Sequence, residues 1–173
     1  MMKLAKLCTI LIFNSLTSLG QVNSEILIPL ECSINEKVPV VGHVAVMKKA
    51  LGEPLSTEIV DYECGMTEEQ EGADYQSYYL YGETKFFIYD EKYKLKIIDF
   101  KSGDFIFKTP KITLTGATTF DDLEKVFPRA VKASLKENNG RLVRLQPCKY
   151  CDGEVQLYIE NGKLVKLQLW ESC

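Results

Sequence analysis

The chain has 173 residues, of which 46% are hydrophobic and 26% are charged, so it can bury one hydrophobic core but is too short for two large domains. Its net charge of −3 argues against a nucleic-acid-binding protein, because a phosphate backbone selects a basic surface. Its single histidine, His43, excludes a multi-histidine metal site, and no sequence motif indicates a metal or a cofactor.

The N-terminal residues have the pattern of an export signal. Lys3 and Lys6 form a short basic start, residues 7–16 are mostly apolar, and Ser18 and Gly20 place small side chains where signal peptidases cleave. The apolar run is shorter than the roughly 20 residues that a membrane-spanning helix needs. We therefore expect an export signal rather than a membrane anchor.

The predicted signal peptide covers residues 1–20, although cleavage after Ser24 fits the same pattern. The mature domain, residues 25–173, contains no second apolar run of membrane length. We expect a periplasmic or secreted protein without a membrane span.

The first half of the mature chain contains, in order, a helix, a strand and a hairpin. These predicted elements lie at residues 44–51, 58–64, 83–90 and 94–100. Val44, Met47 and Leu51 share one face of the helix. The acidic stretch 68–74 predicts a solvated loop.

The second half repeats this order. Its predicted elements lie at residues 120–127, 142–148, 154–161 and 164–170. Phe120, Leu123 and Phe127 have the same spacing as the apolar residues of the first helix. Thr119, with Asp122 three residues later, predicts the N-cap of this helix, and Pro128 predicts its end. Asn161-Gly162 is a strong two-residue hairpin turn. Further strand-like stretches at 105–107 and 112–114 predict a link between the halves.

The repeated order predicts two tandem helix–strand–strand–strand units, at about residues 41–103 and 116–171. Each unit is too small to bury much apolar surface alone, so we expect both to share one antiparallel sheet with the helices on one face. The predicted fold class is α+β, in a single domain.

Tandem units of this kind behind a signal peptide resemble the β-lactamase-inhibitor protein fold. That architecture is also similar to the small outer-membrane assembly accessory lipoproteins of Gram-negative bacteria. The resemblance is carried by the helix at 119–128 and by the strand–turn–strand at 155–165. The lipobox cysteine of those lipoproteins is missing from this sequence. The resemblance implies a non-enzymatic protein that binds another protein through the open face of a curved sheet.

Alternation along the predicted strands assigns side chains to the two faces of the sheet. The side chains expected under the helices are Thr84, Phe86, Ile88, Val155, Leu157, Ile159, Val165, Leu167 and Leu169. Those expected on the opposite face include Phe87, Tyr89, Tyr158, Leu164, Lys166, Gln168 and Trp170, with Tyr79 and Tyr81 just ahead of the first hairpin.

Aromatic rings among polar groups are typical of a protein interface, so we interpret Phe87, Tyr89, Tyr158 and Trp170, together with the two tyrosines ahead of them, as partner-binding residues. The alternative is that a loop covers these rings, or that they stabilise cross-strand pairs.

Five cysteines remain after export, and an oxidising compartment favours disulfides between them. They are Cys32, Cys64, Cys148, Cys151 and Cys173. The preferred pairing joins Cys32 to Cys64, and Cys173 to either Cys148 or Cys151. The C-x-x-C motif at 148–151 is interpreted as structural, with a redox centre and a metal site as alternatives.

The sequence thus predicts a non-enzymatic protein, without catalytic residues, that binds and inhibits another protein. An immunity protein against an envelope-targeting toxin and an inhibitor of an envelope enzyme both fit. The alternatives are a thiol–disulfide oxidoreductase that uses Cys148 and Cys151, and an envelope-assembly accessory protein. The sequence leaves the oligomeric state open.

Overall fold

The computed structural model describes residues 25–60 and 66–172. Within these residues the chain is an α+β fold with four α-helices and two antiparallel sheets, of four and eight strands. The predicted signal peptide and two of the cysteines, Cys64 and Cys173, lie outside the described residues.

The secondary structure is dominated by strands. They are β1 (Ser33–Ile34), β2 (Val38–Pro39), β3 (Val41–His43), β4 (Ser56–Ile59), β5 (Gln76–Tyr81), β6 (Thr84–Tyr89), β7 (Lys92–Asp99), β8 (Phe107–Lys108), β9 (Thr113–Leu114), β10 (Leu142–Leu145), β11 (Glu154–Glu160) and β12 (Lys163–Trp170). The helices are α1 (Val44–Leu51), α2 (Glu68–Glu71), α3 (Phe120–Val126) and α4 (Pro128–Asn138).

The large sheet has the strand order β10-β11-β12-β7-β6-β5-β4, with β3 also paired to β7. Strands β3 and β12 lie along the same side of β7, because β3 pairs with Lys92–Lys94 and β12 with Ile97–Asp99. The hairpins β6–β7 and β11–β12 confirm the two hairpins expected from the sequence. Asn161 and Gly162 both have positive φ, 51° and 74°, as a tight two-residue turn requires.

The small sheet has the order β2-β1-β8-β9 and was not expected. The stretches around Phe107 and Leu114 do form strands, but β8 pairs with the N-terminal strand β1 and β9 pairs with β8, so they do not link two halves of one sheet. The two-residue strands on either side of Asn35 are too short to produce a detectable alternation. The prediction of one shared sheet was therefore incomplete.

A further strand, β5, and two further helices, α2 and α4, were also missed, and α2 lies in the acidic stretch that was expected to be a loop. Pro128 ends α3 as predicted, but it is at the same time the first residue of α4, a position where its fixed φ and missing N–H cost nothing. The predicted cap of α3 is confirmed, because the Thr119 hydroxyl accepts from the backbone N–H of Asp122 and the Asp122 carboxylate accepts from the N–H of Thr119.

The core lies between one face of the large sheet and a layer of helices and the small sheet. Phe86, Ile88 and the apolar side chains of β11 face this core, as alternation predicted. The helices contribute Met47, Leu123 and Val131, the junction between α3 and α4 contributes Phe127, and the small sheet contributes Ile34, Val38, Phe107 and Leu114.

Leu164 was expected on the open face but is buried in the core. The register between β11 and β12 shifts between Tyr158 and Ile159, so that Ile159 pairs with Leu164 and Tyr158 with Lys166. Val165 is the extra residue of this β-bulge, and a bulge reverses the alternation of the residues before it.

Candidate functional site

The face of the large sheet that points away from the core is called the open face here. Cross-strand register places on it Glu58, Gln76, Tyr78, Lys85, Phe87, Tyr89, Lys94, Arg144, Glu154, Gln156, Tyr158, Lys166, Gln168 and Trp170. Aromatic, amide and charged groups are therefore mixed on this face, as expected from the sequence.

The rings of the first hairpin are not accessible. Phe87 is 1% exposed and Tyr89 is 6% exposed. Tyr78 on the unpredicted strand β5 lies 5.9 Å from Phe87 between ring centres, and Tyr89 stacks on Phe87 at 5.7 Å. These rings pack against one another, so the structure corrects the expectation that Phe87 and Tyr89 are open to a partner.

Tyr79 and Tyr81 lie on the other face of the sheet. Both are half-buried and pack against the core. The Tyr81 hydroxyl donates to the backbone carbonyl of Gly52 at 2.8 Å, and burial, followed by the nearby charge of Glu53, raises the pKa of Tyr81 to about 12. Because side chains alternate between the two faces along β5, Tyr79 and Tyr81 point towards the core and away from the open face.

Around Tyr158 the open face forms a connected polar network. The Tyr158 hydroxyl donates to the Gln156 side chain at 2.8 Å, and Gln156 donates to Glu154 at 2.7 Å. Arg144 pairs with Glu154 at 3.4 Å. The ammonium of Lys166 lies over the Tyr158 ring, 3.7 Å from its centre. The half-buried Tyr158 side chain is thus fixed by a hydrogen bond at its hydroxyl and by a cation on the face of its ring.

Trp170 lies on the same face and is 40% exposed. It stands between two hollows. One, of about 570 Å³, lies towards α4 and is also lined by Arg144 and Glu154. The other, of about 650 Å³, lies towards Leu30 and the Cys148–Cys151 loop. Trp170 therefore forms a ridge with a concave surface on each side.

A half-buried cluster of charged side chains lies next to this ridge. The carboxylate of Glu171 accepts hydrogen bonds from Lys94 and, at 2.9 Å, from Lys96. Burial alone raises the pKa of Glu171, but the hydrogen bonds and charges of the two lysines outweigh it and lower the pKa overall. The cluster ties the end of β12 to β7, where the two strands no longer pair directly.

The cysteines differ from the preferred pairing. Cys148 and Cys151 form a disulfide with each other, and their Cα atoms are 5.3 Å apart in the loop between β10 and β11. Cys32 is a buried free thiol that donates to the Ile28 carbonyl, and burial, then the charge of Glu31, raises its pKa to about 11. The predicted Cys32–Cys64 bridge, and a bridge from Cys173 to either cysteine of the motif, were therefore wrong.

The remaining candidates take no part in a site. His43 is exposed at the start of α1, and its side chain makes no capping hydrogen bond. Residues 25–60 and 66–172 contain no cluster of three or more His, Cys, Asp or Glu side chains able to hold a metal ion. In the same residues no helix is long and apolar enough to cross a membrane.

Comparisons with protein-family models, with curated proteins and with solved structures found no match to this chain.

Proposed function

We propose that this chain is an exported protein that binds another protein through the part of the open face around Trp170. This surface, the Trp170 patch, consists of Arg144, Glu154, Gln156, Tyr158, Lys166, Gln168 and Trp170. The observation that carries the proposal is the exposure of Trp170 between two hollows. Tryptophan and tyrosine are the residues that most often dominate the binding energy of protein interfaces.

The patch is ordered before a partner arrives. Tyr158 is fixed by Gln156 and by Lys166, so little side-chain freedom remains to be lost on binding. Because these side chains lose their conformational entropy when the chain folds, they lose little more when a partner binds, and the affinity is higher for that reason.

The chemistry of the patch defines the partner in outline. The hollow towards Leu30, which Val40 and Leu169 also line, fits an apolar side chain of a partner. Lys166 forms no ion pair with any carboxylate of the described residues, whereas Arg144 is already paired with Glu137 and Glu154. A partner that sets an acidic side chain over Lys166, next to apolar ones around Trp170, complements the surface.

Inhibition follows if the ridge enters the active cleft of an enzyme or a toxin and blocks it. We propose this role in the periplasm or outside the cell, as an immunity protein or as an inhibitor of an envelope enzyme. It agrees with the resemblance to the β-lactamase-inhibitor protein fold. Two observations support the proposal of two tandem units. A helix precedes each of the hairpins β6–β7 and β11–β12 along the chain, and the two hairpins join into one sheet where β7 pairs with β12.

A thiol–disulfide oxidoreductase is the second candidate. It is favoured by one observation: the Cys148–Cys151 disulfide lines the hollow of about 650 Å³ beside Trp170, with Cys151 exposed. In such a role the disulfide would oxidise a dithiol of a bound protein and be reduced to two thiols. However, no helix begins at the motif, so no helix N-terminus lowers the pKa of its thiols.

Site-specific photocrosslinking tests the leading proposal. A photoreactive phenylalanine is placed at Trp170 in one variant and at Leu135, a half-exposed apolar residue of α4, in a control variant. In exporting cells we expect a discrete adduct from position 170 only. The crosslinked protein is then purified and titrated with the wild-type chain and with Trp170→Ala. A loss of affinity of at least about a hundredfold is expected for a central tryptophan. No adduct at 170, or equal affinity of both chains, would reject the proposal.

A further inference from the structure

The two outer edges of the large sheet differ. The edge at β10 is covered, because the Asn138 side chain bonds both backbone groups of Leu142 and because Gln146 exchanges backbone hydrogen bonds with Glu25 and Leu27. The edge at β4 pairs with β5 on one side and with no other strand of the described residues on its outer side. An uncovered strand edge presents free backbone groups to another strand.

The uncovered edge also lacks the usual protection against strand addition. All four residues of β4 are exposed, and the two most exposed apolar side chains here, Leu55 at 80% and Ile59 at 86%, flank its centre. The strand contains no lysine and no proline, which natural proteins place on edges to prevent pairing. Its only charge, on Glu58, is paired with Lys85 of β6 at 3.1 Å.

The sequence of this edge is complementary to itself. In an antiparallel pair of two copies centred on Thr57, Leu55 of one copy faces Ile59 of the other, and Ser56 faces Glu58. Cross-strand neighbours are about 5 Å apart between Cβ atoms, so two apolar pairs form on one face of the joined sheets. A pair centred on Glu58 instead would set two like charges opposite each other, which is unfavourable.

We infer that two copies of this chain associate through β4 in an antiparallel pair centred on Thr57. The two large sheets then continue into one. Since β12 lies four strands from β4 in the sheet order, the two Trp170 patches of the dimer lie roughly 40 Å apart at strand spacings of about 4.8 Å. The dimer presents two copies of the patch, far enough from the shared edge to stay free.

Sedimentation velocity over a concentration series tests the pairing. We expect a monomer–dimer equilibrium for the wild-type chain. Leu55→Glu and Ile59→Lys each place a charge opposite an apolar residue of the other copy and should raise the dimer dissociation constant at least about tenfold. The double variant Leu55→Glu/Ile59→Lys sets opposite charges face to face in the inferred register and should restore the dimer.

Two controls make the result specific. Leu135→Lys changes an apolar surface residue of α4 and should leave the equilibrium as in wild type. Thr57→Cys should form a disulfide-linked dimer under mild oxidation by copper phenanthroline and oxygen, whereas Ser56→Cys should not, because only residue 57 faces its own copy. Circular dichroism verifies that each variant is folded.

The inference is overturned if the wild-type chain is monomeric at every concentration, or if either single variant dimerises like wild type. It is also overturned if the double variant fails to restore the dimer. A foreign protein that crosslinks to position 59 of a monomeric chain would show that the edge serves another partner instead.

Discussion

The ammonium of Lys166 lies 3.7 Å from the centre of the Tyr158 ring, and the two residues are directly opposite on β12 and β11. The β-bulge at Val165 creates this arrangement, because it puts Leu164 into the core and leaves Lys166 opposite the ring. A cation over a partly exposed ring contributes about 0.5–1 kcal/mol. The Tyr158 hydroxyl also donates a hydrogen bond to the Gln156 side chain, which fixes the orientation of the ring.

The first prediction concerns this contact. In a double-mutant cycle with Tyr158→Leu and Lys166→Met, urea unfolding should yield a coupling energy of about 0.5–1 kcal/mol. Tyr158→Phe is the matched control: it keeps the ring under Lys166 and loses only the hydrogen bond to Gln156, at a cost of about 1 kcal/mol. Additive single-variant effects in the main cycle would show that the contact contributes nothing.

The second prediction concerns Glu171, whose carboxylate pairs with both Lys94 and the buried Lys96. Glu171→Gln removes this carboxylate from both lysines and should lower the free energy of unfolding by about 1–3 kcal/mol at pH 7. Glu36→Gln is a suitable control, because it removes an ion pair of similar geometry, to Lys108, at an exposed site. That change should cost less than about 1 kcal/mol.

The pH dependence of the Glu171 effect has a definite sign. The pKa of Glu171 is lowered in the folded state below its ordinary value of 4.5. Its contribution is therefore fully present above the ordinary value and is lost as the pH falls through the folded pKa. The stability difference between wild type and Glu171→Gln should be constant from pH 7 to about pH 5 and shrink below that. A difference that persists unchanged at pH 2.5 would contradict the assignment.

Local patterns in the sequence were sufficient for the hairpins and for the α3 cap. Alternation and the Asn161-Gly162 turn define the second hairpin, and a capping threonine three residues before Asp122 defines the start of α3. The bulges at Lys96 and Val165 are set by pairing with distant strands. No local pattern encodes such a shift, so the faces of the residues beyond each bulge could not be read from the sequence.

The candidate site was predicted in part for the same reason. Tyr158 and Trp170 lie on the open face because alternation holds on their side of the bulge. Phe87 also lies on the face that alternation predicted. It is covered in part by Tyr78 of β5, a strand that was not recognised from the sequence. Glu171 was overlooked, because the alternating lysines at 92, 94 and 96 also fit a solvated face and nothing local indicates that Lys96 is buried.

The third prediction separates the two uses of the Cys148–Cys151 disulfide. The bridge closes a very short loop, so Cys148→Ser/Cys151→Ser should lower the free energy of unfolding by only about 2 kcal/mol. If the bridge is structural, the wild-type chain should not accelerate the reduction of insulin by dithiothreitol. Catalysis that disappears in the double variant would instead establish the oxidoreductase.

The thiol of Cys32 should be inert in the folded protein. It is buried, and a pKa of about 11 keeps it protonated near neutral pH, whereas alkylation requires the thiolate. Peptide mapping after a pulse of iodoacetamide at pH 7.5 should show no label on Cys32 until urea unfolds the chain. Rapid labelling of the native protein would mean that this thiol is accessible.

The last prediction concerns Gly153, which controls the position of Trp170. A Cβ atom at residue 153 would lie 2.8 Å from the backbone carbonyl oxygen of Trp170, closer than real Cβ contacts allow. Gly153→Ala should therefore shift the end of β12, at a cost of about 1–3 kcal/mol in stability. Trp170 is the chain's only tryptophan, so its emission wavelength and its quenching by acrylamide report this shift directly.

Gly82→Ala is the matched control for Gly153→Ala. Gly82 has a φ of 64° and no atom within 4 Å of an added Cβ, so the substitution strains the β5–β6 turn without touching β12. It should lower stability by about 1 kcal/mol and leave the tryptophan emission unchanged. Because both variants lose stability but only Gly153→Ala moves Trp170, a selective loss of partner affinity in Gly153→Ala would tie binding to the position of this side chain. Equal partner affinities of the two variants would show that binding does not depend on the position of Trp170.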